Sequence, residues 1–222
     1  LTNIDISELT VVGKQVFAGC TKLTYVTTSK FTVIGQNMFE GCTALTSFGY
    51  AGKKIGSGAF KDCINLAEFT LNGNYDKYDN SFRGIGANAF ENTALSEFTL
   101  PDGTYTIGDN AFKDCTNLTI VRLSDNAQPT FGRAVFIGAT SFAGSATSGF
   151  FVKNSANGYN DYYKTTSGVL YNMRGDELVC VPTYTKDFMI SSFADKISDG
   201  AMSGLTLANG ELNLYHIKII GK

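Results

Sequence analysis

The sequence predicts an elongated, right-handed α/β repeat solenoid, with parallel strands on its concave face and short helical turns opposite. Three observations predict it. A block with a fixed Gly-to-Phe spacing recurs along the chain, a strand-like apolar pattern follows most copies, and most copies fall 21 to 24 residues apart. A unit that short cannot bury its own apolar face, so it is stable only when stacked on its neighbours.

The block reads apolar residue, Gly, two variable residues, a small or apolar residue, then Phe. It appears as VGKQVF at 12–17, IGQNMF at 34–39, IGSGAF at 55–60, IGANAF at 85–90, IGDNAF at 107–112 and FGRAVF at 131–136. A degenerate copy, ISDGAM, lies at 197–202, with Ser198 in the Gly slot and Met202 in the Phe slot. The recurring Gly fits either a positive φ or a close backbone approach. Three residues after Phe comes Cys20, Cys42, Cys63 or Cys115, and three later Leu23, Leu45, Leu66 or Leu118. The fourth copy, FENTAL, is one residue short and lacks the Cys, and the sixth has Ala139 in that slot. The A-F-x-x-C stretch is read as a short helical turn with Phe and Cys pointing inward.

From each Leu runs a second pattern, L-x-x-apolar-x-apolar: LTYVTT, LTSFGY, LAEFTL, LSEFTL and LTIVRL. Its closing alternation is the strand signal. Leu1, Ile4 and Ile6 repeat the pattern at the start, and Leu214, Ile217 and Ile219 at the end. The period is leucine-rich-repeat length, which implies parallel strands about 4.8 Å apart. The chain divides into an array over 1–137, an irregular stretch with a hairpin over 138–187, and a degenerate C-terminal repeat over 188–222. The first rung has no cap before it, and the chain opens on Leu1 rather than Met. The expectation is a segment taken from a longer array, or one whose cap has been removed.

Composition excludes several classes. With 222 residues, 43% hydrophobic and 17% charged, the chain is a folded protein rather than a disordered one. A net charge of −2 offers no basic stripe for nucleic acid. No run of about 18 apolar residues is present, so no membrane span is expected, and no signal peptide is visible. The 17 Phe and 11 Tyr must supply much of the packing in a chain without Trp. Stacked rungs would place Cys20, Cys42 and Cys63 in a column. A column neither converges on a metal nor aims its side chains for good disulfides. The thiols are therefore read as buried, free and filling a small apolar slot, with Cys180 packed outside the column. No metal and no cofactor are expected. A lone histidine, His216, on an outward strand position, with no G-x-S-x-G, H-E-x-x-H or P-loop, gives catalysis no support.

These repeats resemble the BspA-type leucine-rich-repeat proteins, a group of bacterial and protist surface proteins whose unit looks like I-G-x-x-A-F-x-x-C-x-x-L-x-x-I-x-L-P. The likeness is close over 1 to about 137 and resumes near 188, and GVLYNMRGDELVCVP at 168–182 resembles a hairpin such proteins carry between repeats. Two copies lack the Cys, and only Pro101 follows a strand. The resemblance implies an extracellular or cell-surface, non-enzymatic module that adheres to a host or neighbouring-cell surface protein, or to a glycan.

The candidate sites follow. Alternation turns one row of side chains outward at Tyr25, Ser47, Glu68, Glu97, Ile120 and His216, and another at Thr27, Gly49, Thr70, Thr99, Arg122 and Lys218. The stack makes these an extended concave surface for ligand binding, with Tyr25, Glu68, Glu97, Ile120 and Arg122 its most informative members. Arg174, Gly175 and Asp176 form a tripeptide of adhesive type in the predicted hairpin turn, although Gly and Asp are what any turn selects. Tyr159, Tyr162 and Tyr163 either stack on a partner or pack on the solenoid end. Asp76, Asp79 and Asn80, in the long 72–84 loop, do not follow an EF-hand order. Asn117–Thr119 matches a glycosylation sequon built around a core leucine. Three functions remain in view: a binding module, a passive spacer within a larger surface protein, and an enzyme seated in the irregular region that would lose turnover in His216→Ala.

Overall fold

The structure, a computed structural model, describes residues 1–9, 12–28, 33–73, 83–145, 147–152, 162–185, 190–206 and 218–220. The L-x-x-apolar segments stack as parallel strands. Strand β1 (Asn3–Asp5) pairs with β2 (Tyr25–Thr27), β4 (Ser47–Tyr50) with β6 (Glu68–Leu71), and β10 (Ile120–Leu123) with both β8 (Glu97–Leu100) and β12 (Gly149–Val152). Pairing is in step with the repeat: Ser47 faces Glu68, while Glu97, Ile120 and Gly149 align across three rungs.

A second parallel ladder runs through the residues just before each block Gly. It comprises β3 (Val33–Ile34), β5 (Lys54–Ile55), β7 (Gly84–Ile85), β9 (Gly103–Ile107) and β11 (Ala127–Phe131). Sequence reading places no strand there, because a two-residue strand is too short to alternate.

The expected helical turns are a correction: among the described residues there is no helix. Each block instead holds two residues four apart in the left-handed region, such as Asn37 and Gly41 (φ 53° and 70°), Asn88 and Asn92 (56° and 57°), and Asn110 and Asp114 (both 57°). A right-handed helix cannot run through such residues, and Asn, Asp and Gly are the types that enter that region at least cost. Alternate turn N–H groups therefore look to the next rung, while those between them reach back three residues along their own, as Met38 does to Gly35 and Glu40 to Asn37. Asn37 donates to the Ser57 carbonyl at 2.9 Å, Phe39 to Ala59 at 2.8 Å and Gly41 to Lys61 at 2.8 Å, and later rungs repeat the pattern. The degenerate block keeps both positions as Gly200 and Gly204 (φ 69° and 80°).

The block Gly itself is set by close approach, since none of its six copies has positive φ. A Cβ on Gly35 would stand 2.6 Å from the Gly13 carbonyl oxygen, and one on Gly56 2.6 Å from that of Ile34. On Gly86 and Gly108 it would run into the backbone of the preceding block.

Inside the coil two aromatic columns interlock. Phe17, Phe39, Phe60, Phe90, Phe112 and Phe136 stack with centroids 5.3–5.5 Å apart. Phe48, Phe69 and Phe98 form the second column, and meet the first edge-on or tilted at 4.8–5.3 Å. This herringbone is a favoured aromatic geometry. Leu23, Leu45, Leu66, Leu95 and Leu118 line the core beside it, all fully buried. The buried Tyr50 and Tyr105 hydroxyls are satisfied locally, donating to the carbonyls of Lys54 (2.7 Å) and Pro101 (2.9 Å).

Over the irregular stretch, β13 (Tyr163–Thr166), β14 (Val169–Asn172) and β15 (Glu177–Cys180) form an antiparallel meander, and β16 (Lys196–Ile197) and β17 (Ile219–Ile220) continue from β15 in parallel. The hairpin is a septum, by alternation along β14 and by an irregularity in its pairing with β15. Leu170 and Cys180 join the array core, whereas Val169, Tyr171 and Leu178 belong to a second core with Val181, Ile190, Ala194, Ile197 and Ala201. The degenerate block stacks back on the array, where a Cβ on Gly200 would lie 3.1 Å from the Gly132 carbonyl oxygen.

Candidate interaction surface

The first ladder fixes the outward rows. Tyr25 is 58% exposed, Ser47, Glu68, Thr70, Glu97 and Thr99 are exposed, and Thr27, Gly49, Ile120 and Arg122 are half-buried. Their inward neighbours Val26, Phe48, Phe69, Phe98 and Val121 are buried, so the alternation read from sequence is the alternation of the fold. Lys218 is exposed and paired with Asp195 at 2.8 Å, while His216 lies outside the described residues.

The chemistry of this face changes along the stack. Glu68 and Glu97 project from β6 and β8, whose strands belong to separate hydrogen-bonded sheets. An open groove of about 710 Å³ lies over them and is closed at the strand ends by Asp102 and Asp125, with Ser96 and Thr99 on its floor. One rung further, the Arg122 guanidinium donates to Glu97 at 3.2 Å and lies 5.9 Å from the ring centroid of its ladder partner Phe151. Both ends of that ion pair are exposed to solvent, so it orients Arg122 more than it stabilises the fold. Asp102, Asp125 and Phe151 escape a reading of the repeat alone. The two aspartates are turn residues after the strand, and Phe151 follows a block that the sequence treats as irregular.

The hairpin turn is built differently. The Asn172 side chain holds it, accepting from the N–H groups of Gly175 (2.8 Å) and Glu177 (3.2 Å) and donating to the Asp176 carboxylate (2.6 Å). Gly175 is buried with φ 78°, and a Cβ there would run into the Lys164 side chain. The Asp176 carbonyl receives the N–H groups of Asp195 and Lys196. Arg174 is exposed, but Asp176 is committed to the turn and to the next rung. Tyr163 packs on the array and donates to the Pro129 carbonyl at 3.0 Å, and Tyr162 is exposed. Tyr159 and the residues Asp76, Asp79 and Asn80 lie outside the described residues.

The cysteines are free thiols, four buried and Cys20 half-buried. Their slot is not purely apolar. Cys42 donates its S–H to the Phe17 carbonyl, Cys63 to Phe39 and Cys115 to Phe90, at 3.0–3.1 Å. In the Cys-less fourth copy the hydroxyl of buried Thr93 instead donates within its own rung, to the Phe90 carbonyl at 3.0 Å, the same oxygen that Cys115 meets. Thr183 takes the cysteines' cross-rung role after the sixth copy, donating to the Phe136 carbonyl at 2.6 Å. Burial pushes Cys42 and Cys115 up to about 11, so neither thiol ionises near neutrality.

On the turn side, Glu91 bridges three rungs. It is 7% exposed and meets Lys113 at 2.8 Å, Lys61 at 3.2 Å and the Asn88 amide at 2.7 Å. Burial by itself would raise its carboxyl, but the bonds from Lys113, Lys61 and Asn88 outweigh it and hold the group below its ordinary value. A depressed folded pKa contributes stability above the unfolded glutamate pKa and loses it as pH falls through the folded one. Glu91→Gln should therefore cost about 1 kcal/mol at neutral pH. Urea melts of parent and variant should converge once the pH is below the folded pKa; a gap that persisted there would mean the carboxylate charge is not what matters.

The chain belongs to the BspA type leucine rich repeat family, whose model matches six copies over residues 1–84 and 83–162. Among solved structures, a leucine-rich repeat protein from Eubacterium ventriosum superposes with a TM-score of 0.69 at 21% identity, over 90% of this chain and 50% of that one. One from Bacteroides ovatus gives 0.60 at 19% identity, over 99% and 57%. A leucine rich cell surface protein from Faecalibacterium prausnitzii gives 0.50 at 17% identity, over 100% and 55%. At these identities the likeness is one of fold, and this chain spans about half the length of each. No curated protein matches closely enough to count as a relative. Stacked leucine-rich repeats are, as a class, scaffolds for protein interaction, and neither the family nor the structural neighbours point to an enzyme. Among the described residues no helix is long and apolar enough to cross a membrane, and no group of three or more His, Cys, Asp or Glu is placed to hold a metal ion.

Proposed function

We propose that this chain is the binding module of a surface protein, engaging a host or neighbouring-cell protein, or a glycan, through the outward rows of the first strand ladder. The observation that carries this reading is the contrast between the two sides of those strands. Their inner rows are locked in the aromatic herringbone, and their outer rows present Tyr25, Glu68, Glu97, Ile120 and Arg122 to solvent, with an open groove over Glu68 and Glu97. A surface presented by a rigid scaffold loses little entropy on binding. Extracellular placement rests on the family and on a structural neighbour named as a cell surface protein. The hairpin turn is the lesser surface, because the Asp176 carboxylate an adhesive loop would offer is tied to Asn172.

The test is a screen of the purified chain against immobilised extracellular-matrix proteins and glycans, with Glu68→Lys/Glu97→Lys and Asp176→Glu variants alongside. Binding should survive Asp176→Glu and fall at least about tenfold in the double reversal, since like charges brought together across an interface cost several kcal/mol. Loss confined to Asp176→Glu would move the site to the hairpin turn. A chain that binds nothing, and whose reversal variant behaves as the parent does, fits the passive spacer.

A further inference from the structure

We propose that the strand face is matched to an extended peptide segment of its partner that carries a lysine or arginine four residues from an aromatic or aliphatic side chain. The inference rests on the binding-module reading and specifies the partner's chemistry.

The outward face is graded. Over β6 and β8 the groove collects the carboxylates of Glu68, Glu97, Asp102 and Asp125, with no Lys, Arg or His among the described residues that line it. The chain as a whole carries only −2, so the acid is concentrated here. The neighbouring cation, Arg122, leans on Glu97 and towards Phe151, and Asp102 accepts from the Asn126 N–H and side-chain amide at 3.1 Å, which leaves Glu68 and Asp125 to supply the attraction. Beyond Arg122 the face turns apolar: Ile120 is half-buried on β10, and Phe151 half-buried on β12. A cationic group is thus favoured at one end and an apolar one at the other.

Spacing follows from the ladder. Parallel strands lie about 4.8 Å apart, so the three rungs from Glu68 on β6 to Phe151 on β12 measure about 14 Å. An extended segment advances about 3.3 Å per residue and returns to the same face every second residue, so positions i and i+4 stand about 13 Å apart on one side. A segment running along the stack axis meets both patches with that spacing. Neighbouring positions, which point to opposite sides, cannot.

The probe is a capped octapeptide, Gly-Ser-Lys-Thr-Gly-Thr-Phe-Ser, titrated into isotope-labelled protein and followed by amide shifts and fluorescence polarisation. Two control peptides accompany it, one with Glu in place of Lys and one with Lys and Phe adjacent. The expected result is saturable binding, with shifts on β6, β8, β10 and β12. The Glu peptide should bind at least about tenfold more weakly and the adjacent-pair peptide about threefold. Raising the ionic strength from about 0.1 to about 1 M should weaken binding, as the screening length falls from about 10 to about 3 Å. Glu68→Gln/Asp125→Asn should reduce affinity about fivefold while melting as the parent does, because both carboxylates sit at the surface.

Equal binding of the Lys and Glu peptides, indifference to Glu68→Gln/Asp125→Asn, or no binding of any peptide would each overturn the inference. If the matrix screen still found a partner dependent on Glu68 and Glu97, the strand face would stand as the site and only its cationic–apolar specificity would fall. Specific peptide binding beside a matrix partner indifferent to the face would do the reverse.

Discussion

Phe60→Ala should lower the stability of the chain by about 3–5 kcal/mol, the range for deleting a buried ring from a well-packed core. Phe60 is fully buried at the crossing of both aromatic columns. It stacks between Phe39 and Phe90 at 5.3 and 5.5 Å and receives Phe48 and Phe69 edge-on at 4.8 and 5.2 Å. Its neighbours cannot collapse into the space, because each is held at its own height by ladder pairing of its rung. Aromatic pairs contribute about 0.5–1.5 kcal/mol beyond area alone, and four are lost together. Phe17, stacked on Phe39 and 8% exposed, offers the comparison, and Phe17→Ala should cost distinctly less. Equilibrium urea unfolding of both variants decides the point. If Phe60→Ala melted with the parent, or the order of the two costs were inverted, the herringbone would not be the principal store of cohesion.

The same column shows how much could be read without coordinates. Every Phe of the six-fold block, and every Leu that follows, lies inside because its spacing from the Gly leaves it no other face. The outward rows were legible for the same reason: alternation over L-x-x-apolar-x-apolar fixes which residues leave the core, and Glu68, Glu97 and Tyr25 leave it. What escaped were features without a period of their own. The second ladder is only two residues wide at β3, β5 and β7, too short for alternation to register. The supposed helical turns fail through Asn37, Asn88 and Asn110, whose left-handed backbone a pattern of apolar spacing does not report. An Asn or Gly recurring two residues after the block Gly was the available signal, since those are the residues that tolerate that region. Thr183 shows what the cysteine slot asks for: it keeps the cross-rung donor that Cys supplies elsewhere, so the bond calls for a small hydrogen-bonding group rather than for sulfur. Asp102 and Asp125 reach the groove through turn geometry, and Phe151 meets Arg122 from a rung outside the six-fold register; both are properties of the stack rather than of the unit.

The block glycine provides the second large effect, with a control inside the same chain. Gly56→Ala should destabilise by about 3 kcal/mol, towards the upper end for overpacking, because the added Cβ meets backbone rather than a yielding side chain. It would stand 2.6 Å from the Ile34 carbonyl oxygen and 2.7 Å from the Gly35 carbonyl carbon, and relief requires the two rungs to separate. Gly13 occupies the same slot in the first block, but there, among the described residues, a Cβ would meet only the Val16 side chain at 3.6 Å. Neither glycine has positive φ, so the backbone conformation itself suits alanine at both. Gly13→Ala should therefore be neutral, or stabilising by about 0.5 kcal/mol through the reduced freedom of the unfolded chain. Ser198 makes the same point in the native sequence. It fills the Gly slot of the degenerate block, its N–H donates to Leu178 of the hairpin, and its hydroxyl donates to Glu177 at 2.7 Å. Where a hairpin strand replaces a stacked block, the slot accepts a side chain. Equal costs for Gly56→Ala and Gly13→Ala, read as midpoint shifts in urea, would mean the glycine answers to conformation after all; unequal costs in the expected order would show that rung-on-rung contact selects it.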